Sequence, residues 1–86
     1  MAVKLIYTTS ALKALRKVPG KDAAALMATL AEIAAEPFTP HPRARKLTDH
    51  PGFRSRQGDW RAVYRIDRAT EEMIVETVGH RSEVYK

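Results

Sequence analysis

Between Phe53 and Ile66 the chain alternates arginine with apolar or small residues, FRSRQGDWRAVYRI. Side chains of an extended strand point to opposite faces with period two, so this stretch predicts two strands joined at Gln57-Gly58-Asp59, where glycine supplies the positive φ of a tight turn. In the second strand Trp60, Ala62, Tyr64 and Ile66 share one face, while Arg61, Val63 and Arg65 share the other. With Arg54 and Arg56, the hairpin presents arginine on one side and aromatic bulk on the opposite side. Upstream, β-branched and aromatic residues predict a strand over Val3 to Thr8. The spacing then changes to i, i+3, i+4, i+7 at Ala11, Leu12, Leu15 and Val18, which predicts a helix through Lys17 with Thr9 or Ser10 as its N-cap. Past the Pro19-Gly20 break, an alanine-rich helix is expected from Lys21 to Glu36, with an apolar stripe of Ala23, Leu26, Met27, Leu30, Ile33 and Ala34. Pro37, Pro40 and Pro42 hold an extended connector. Arg43 to Pro51 has no clean period and reads as a basic loop anchored by Leu47. Asp67 to Glu72 is a turn, and Met73 to Val78 is a last strand too uniformly apolar for its faces to be assigned.

The order β-α-α-β-β-β predicts one α+β domain over residues 1–86, a small antiparallel sheet with a two-helix hairpin on one face and the other face partly open. The last three strands form a meander, whereas the pattern does not fix where the first strand pairs. There is no cysteine, which removes disulfides and thiolate chemistry and fits a reducing compartment. The N-terminal apolar run is too short for a signal peptide, and no stretch approaches the roughly 20 apolar residues of a membrane helix. A soluble cytoplasmic protein without membrane contact is therefore expected. His41 and His50 lack ligand spacing, so neither a metal nor a cofactor is expected. Net charge is +5 with a pI near 9.9. Ten of the 15 basic residues lie from Arg43 onward, and most of those ten are arginine. The planar guanidinium fork suits phosphate, so this distribution points to nucleic acid more than to general solubility.

The strings KL at 46–47, FRSRQGDWRAVYRI at 53–66 and VGHRSEVY at 78–85 together resemble the RelE branch of the RelE/ParE toxin superfamily, and the resemblance spans essentially the whole chain. It implies the toxin of a type II toxin–antitoxin pair, with a fold similar to that of the small microbial ribonucleases. RelE-type members cleave mRNA in the ribosomal A site, and a cognate antitoxin blocks them. The implied partners are thus an antitoxin with an acidic, amphipathic segment, the ribosome and mRNA. By position the resemblance puts the basic strand residues on Arg54 and Arg56, the hairpin arginine on Arg61, the post-strand arginine on Arg81 and the terminal tyrosine on Tyr85. Arg45 and Lys46 join the first two as candidate RNA contacts. Arginine stands at 54 and 56 where lysine is common in the family, and His80 where some members have lysine. ParE-type members share the fold but poison DNA gyrase, which is the alternative activity.

Cleavage of RNA by its own 2′-hydroxyl needs a base for that hydroxyl, positive charge beside the phosphorane and an acid for the leaving 5′-oxygen. Arg54, Arg56, Arg61 and Arg81 provide the charge. Proton transfer is harder to assign, because tyrosine ordinarily titrates near 10 and arginine above 12. Surrounding guanidinium groups would favour a phenolate at Tyr85. His80 is the alternative acid or base, since histidine titrates nearest neutrality, and the tail is expected to carry His80, Arg81 and Tyr85 over the arginine face. Weak proton-transfer groups fit an enzyme that relies on substrate positioning. Competing structural roles are cross-strand pairing of Arg65 with Glu72 or Glu76, and core packing for Trp60, Tyr64 and Tyr7. Lys13, Arg16 and Lys17 are expected on a solvated helix face, with RNA contact as their second role.

Overall fold

The computed structural model describes residues 2–48 and 51–83. Its elements are β1 (Lys4–Tyr7), α1 (Thr9–Leu15), α2 (Gly20–Ala35), β2 (Ala44–Lys46), β3 (Phe53–Gln57), β4 (Trp60–Asp67) and β5 (Glu72–His80). They form one five-stranded sheet in the order β1-β5-β4-β3-β2. The helices cover one face, α1 over β5 and β1, α2 over β3, β4 and β1. The α+β class and the helical cover are those the sequence predicts.

Two features of the sheet differ from the expectation. The basic segment expected to be a loop contains β2, which pairs antiparallel with β3 and adds a strand to the predicted order. Three residues are too few for a period to be visible, and their pairing with β3 is what makes them a strand. The sheet is also mixed, because β1 runs parallel to β5 with Lys4 opposite Glu72 and Tyr7 opposite Val75. That pairing joins the two ends of the fold, so local patterning carries no trace of it.

The core is built where the predicted stripes meet. Leu26, Leu30 and Ile33 on α2 are fully buried, in one cluster with Met73 and Val75 of β5 and with Ala62 and Tyr64 of β4. Burying each large aliphatic side chain contributes about 1.5–3 kcal/mol. Two members of the predicted stripes are instead exposed, Leu12 at 47% and Met27 at 39%. A single sheet covers only one narrow arc of each helix, and Leu26-Leu30-Ile33 already occupies that arc on α2.

β5 explains why its faces resist assignment. Its register against β4 slips between Val63 and Tyr64, from Val63 opposite Thr77 to Tyr64 opposite Val75, leaving Glu76 as the extra residue. Met73, Val75 and Val78 are consequently all buried, with spacings of two and then three. Thr8 closes this bulge: its amide donates to the Val75 carbonyl at 3.1 Å and its hydroxyl donates to the Glu76 carbonyl at 2.9 Å. The same Oγ1 accepts from the Ala11 amide at 3.0 Å, so Thr8, not Thr9 or Ser10, is the N-cap of α1. No helix among the described residues is long and apolar enough to cross a membrane.

Candidate nucleic-acid interface

Strand register sorts the basic residues by face, because directly opposed residues of an antiparallel pair lie on the same side. Arg45 of β2 lies opposite Arg54 of β3, and Arg54 opposite Val63 of β4. Arg56 lies opposite Arg61, which in turn lies opposite Gly79. Arg45, Arg54, Arg56 and Arg61 therefore share the face away from the helices. Like charges directly opposed on a sheet repel. Among the described residues, no ion pair or hydrogen bond to an acid engages the side chains of Arg45, Arg54 or Arg56. Val63, 6% exposed, forms an apolar floor between them, flanked along its strand by Arg61 and Arg65.

Arg61 is anchored to the hairpin that carries it. Its Nη1 donates to the Gly58 carbonyl at 2.6 Å and to the Trp60 carbonyl at 3.0 Å. A guanidinium has five N–H donors, so Nε and Nη2 are left for an anion. Gly58, at φ 58°, provides the turn that aims its carbonyl back at this side chain. The next turn residue holds Arg81. The Arg81 amide donates to the Asp59 carbonyl at 2.7 Å, and its Nε lies 3.6 Å from Asp59 Oδ1 in an exposed pair. The Gly58-Asp59 turn thus gathers Arg61 and Arg81 at one end of the sheet. Asp59 is not among the site residues that the sequence predicts, although its place in the G-D-aromatic-R string is a signal for it.

Two other candidates lie elsewhere. Lys46 is opposite Phe53, which packs against the core, so period-two alternation turns Lys46 away from Arg45 and the arginine face. His80 is opposite Trp60 and meets it edge to face, with ring centroids 5.5 Å apart. Trp60 and the buried Val78 belong to the helix side, so His80 does as well, contrary to the expected placement over the arginines. Its Nδ1 accepts from the Ser82 amide at 3.3 Å and lies 2.9 Å from Ser82 Oγ. A backbone amide can only donate, so the neutral ring carries its proton on Nε2. In that tautomer Nδ1 is taken up by Ser82 and Nε2–H is the donor left to the ring. Tyr85, like His50, lies outside the described residues.

The remaining aromatic and charged residues take structural roles. Arg65 pairs with Glu76 at 3.5 Å, one of the two partners predicted for it. Tyr64 stacks on Phe53 with centroids 5.4 Å apart, and burial pushes its hydroxyl up to about 12. Burial likewise raises the titration of Tyr7, whose enclosed hydroxyl has no hydrogen-bond partner among the described residues. Neither phenol is suited to accept a proton near neutrality.

The sequence matches the family described as the ParE toxin of type II toxin–antitoxin system, parDE, over residues 5–85. It is 30% identical over 82 residues to Toxin RelG of Mycobacterium tuberculosis, covering 93% of this chain and 92% of the relative. The fold is similar to a chain of the RelBE2 toxin–antitoxin complex from the same species, with a TM-score of 0.78, 26% identity and coverage of 96% and 95%. It is also similar to a chain of the intact Escherichia coli RelBE complex, with a TM-score of 0.78, 24% identity and coverage of 92% and 96%.

Proposed function

Because this chain belongs to the RelE/ParE family of toxins of type II toxin–antitoxin systems, we propose that its arginine face cleaves messenger RNA in the ribosomal A site and so arrests translation. The observation that carries this reading is the register that gathers Arg45, Arg54, Arg56 and Arg61 on one exposed face of the sheet. In the proposed reaction the 2′-oxygen attacks the adjacent phosphorus and the bond from phosphorus to the 5′-oxygen breaks. The 2′-hydroxyl gives up its proton, and the departing 5′-oxygen takes one. Negative charge accumulates on the phosphorane oxygens, where Arg61, anchored by its own hairpin, stabilises it. Arg54, Arg56 and Arg45 hold the flanking backbone, and Arg81 binds from the Asp59 side of the turn. The role of base falls to Tyr85, since burial keeps Tyr7 and Tyr64 protonated and Ser82 occupies Nδ1 of His80. A face with abundant charge and few proton-transfer groups fits catalysis that depends on the ribosome to align the substrate.

Toeprinting of an mRNA translated in vitro with the purified protein tests the reading. New A-site cuts are expected, weakened about 100-fold or more by Arg61→Ala, the scale seen when one preorganised donor is removed from a developing oxyanion. Undiminished cutting by a folded Arg61→Ala variant would remove the arginine face from the mechanism. The match to the ParE toxin family favours one competing reading, a non-nuclease toxin acting on DNA gyrase. Inhibited gyrase supercoiling without any cuts would establish that reading instead.

The proposed partner is an antitoxin whose acidic, amphipathic segment covers the basic face.

A further inference from the structure

On the opposite side of the sheet, an open groove of about 590 Å³ runs between α1 and the ends of β4 and β5. Its volume falls in the range of roughly 300–1,000 Å³ typical of small-ligand sites. One wall is aromatic, formed by Trp60 and His80 in their edge-to-face pair. The other wall is α1 and the turn after it, which bring Lys13, Lys17 and the hydroxyl of Ser10 to the rim. Glu83 is the one carboxylate among the described lining residues. Ser82 fixes the His80 ring through Nδ1, so Nε2–H is its remaining donor whether or not the ring is charged.

We infer that this groove is a second binding site for single-stranded RNA, taking a base against Trp60 and His80 and the adjoining phosphates at Lys13 and Lys17. Aromatic walls beside paired cations are the general solution for holding single strands, since every base has a π-face and every linkage a negative charge. An acidic peptide would use the lysines but has no need of two aromatic rings. The groove and the arginine face adjoin through consecutive residues: Trp60 and Arg61 point to opposite sides of β4, as do His80 and Gly79 on β5. One strand passing over the end of the hairpin would meet both. The inference rests on RNA as the substrate of the arginine face, but its test reads binding, not cleavage.

Trp60 is the sole tryptophan, so its fluorescence reports on the groove. The purified full chain is titrated with 2′-O-methyl octauridylate, which has no free 2′-hydroxyl and cannot be cut. Quenching of Trp60 is expected, with Lys13→Gln/Lys17→Gln shifting its midpoint several-fold. The slope of log affinity against log salt should fall by about 0.7 for each phosphate that the substitutions leave unneutralised. Arg54→Ala/Arg56→Ala should weaken binding yet leave the quench at saturation intact. Absence of quenching overturns the inference, as does a Lys13→Gln/Lys17→Gln midpoint and salt slope equal to wild type. Quenching by a polyglutamate peptide of equal charge at lower concentration than the oligonucleotide also overturns it, assigning the groove to an acidic protein segment. If A-site cuts fail but the quench behaves as stated, the function of the arginine face falls and the groove stands. The converse result leaves cleavage intact and removes the groove.

Discussion

At the scale of single residues, the chemistry of this protein is decided by what each side chain is tied to. Arg61 spends one nitrogen on two carbonyls of its own hairpin and keeps the rest of its donors, which makes it a rigid cation. Arg65, on the same face, is neutralised by Glu76. Two arginines four residues apart thus take different roles because of a neighbour on β5, which alternation alone cannot reveal. The tyrosines divide in the same way. Tyr64 is 3% exposed and its hydroxyl titrates at about 12, against 10 for an open phenol. The folded state therefore holds its proton where the unfolded chain releases one. The stabilisation from this neutral phenol is full below pH 10 and is lost as pH rises from about 10 to 12, a loss on the order of 2–3 kcal/mol. Urea unfolding at pH 9 and pH 11.5 should show that decline, and Tyr64→Phe should reduce it. An equal alkaline decline in Tyr64→Phe would assign it to other groups, including Tyr7.

At the scale of elements, Thr8 joins three pieces of structure. It ends β1, caps α1 and satisfies the carbonyls at the β5 bulge. Thr8→Val keeps the shape but loses the cap, commonly worth about 1 kcal/mol, and leaves the Glu76 carbonyl without its donor. A total loss of about 2–3 kcal/mol is expected in denaturant unfolding, with Thr8→Ser retaining most of the stability. Equal losses for both substitutions would show that the methyl group matters and the hydroxyl does not. The helices themselves are readable from the chain, since the Leu26-Leu30-Ile33 spacing and the flanking prolines specify α2 directly. The cap is not, because Thr8, Thr9 and Ser10 are chemically alike and only the position of β5 selects among them. The β2 strand is hidden for a related reason. Ala44–Lys46 becomes extended because β3 offers it a partner, and that pairing brings Arg45 beside Arg54.

For the whole molecule, 86 residues folded to a radius of gyration of 11.8 Å leave a small core under a net charge of +5. A chain of this size buries only about 60–65% of its unfolded surface, so a partner that binds the native state adds stability by mass action. At 100 times its dissociation constant such a partner contributes about 2.7 kcal/mol. That corresponds to a rise in Tm of about 10 °C or more for a domain this small. The co-expressed antitoxin should copurify with the toxin and produce that rise, and the gain should shrink between 50 and 500 mM salt if an acidic segment covers the arginines. A shift independent of salt would place the antitoxin on the exposed apolar residues instead. The sequence by itself determined the α+β class, the two helices, the hairpin and the alternation that separates Arg54, Arg56 and Arg61 from Trp60, Ala62 and Tyr64, because each follows from local periodicity. Tertiary structure alone decided the parallel pairing of β1 with β5, the addition of β2, the choice of Glu76 over Glu72 as the partner of Arg65, the tether from Asp59 to Arg81 and the turning of His80 to the helix side. Those depend on register between strands distant in the chain, where a shift of one residue exchanges the faces of every side chain.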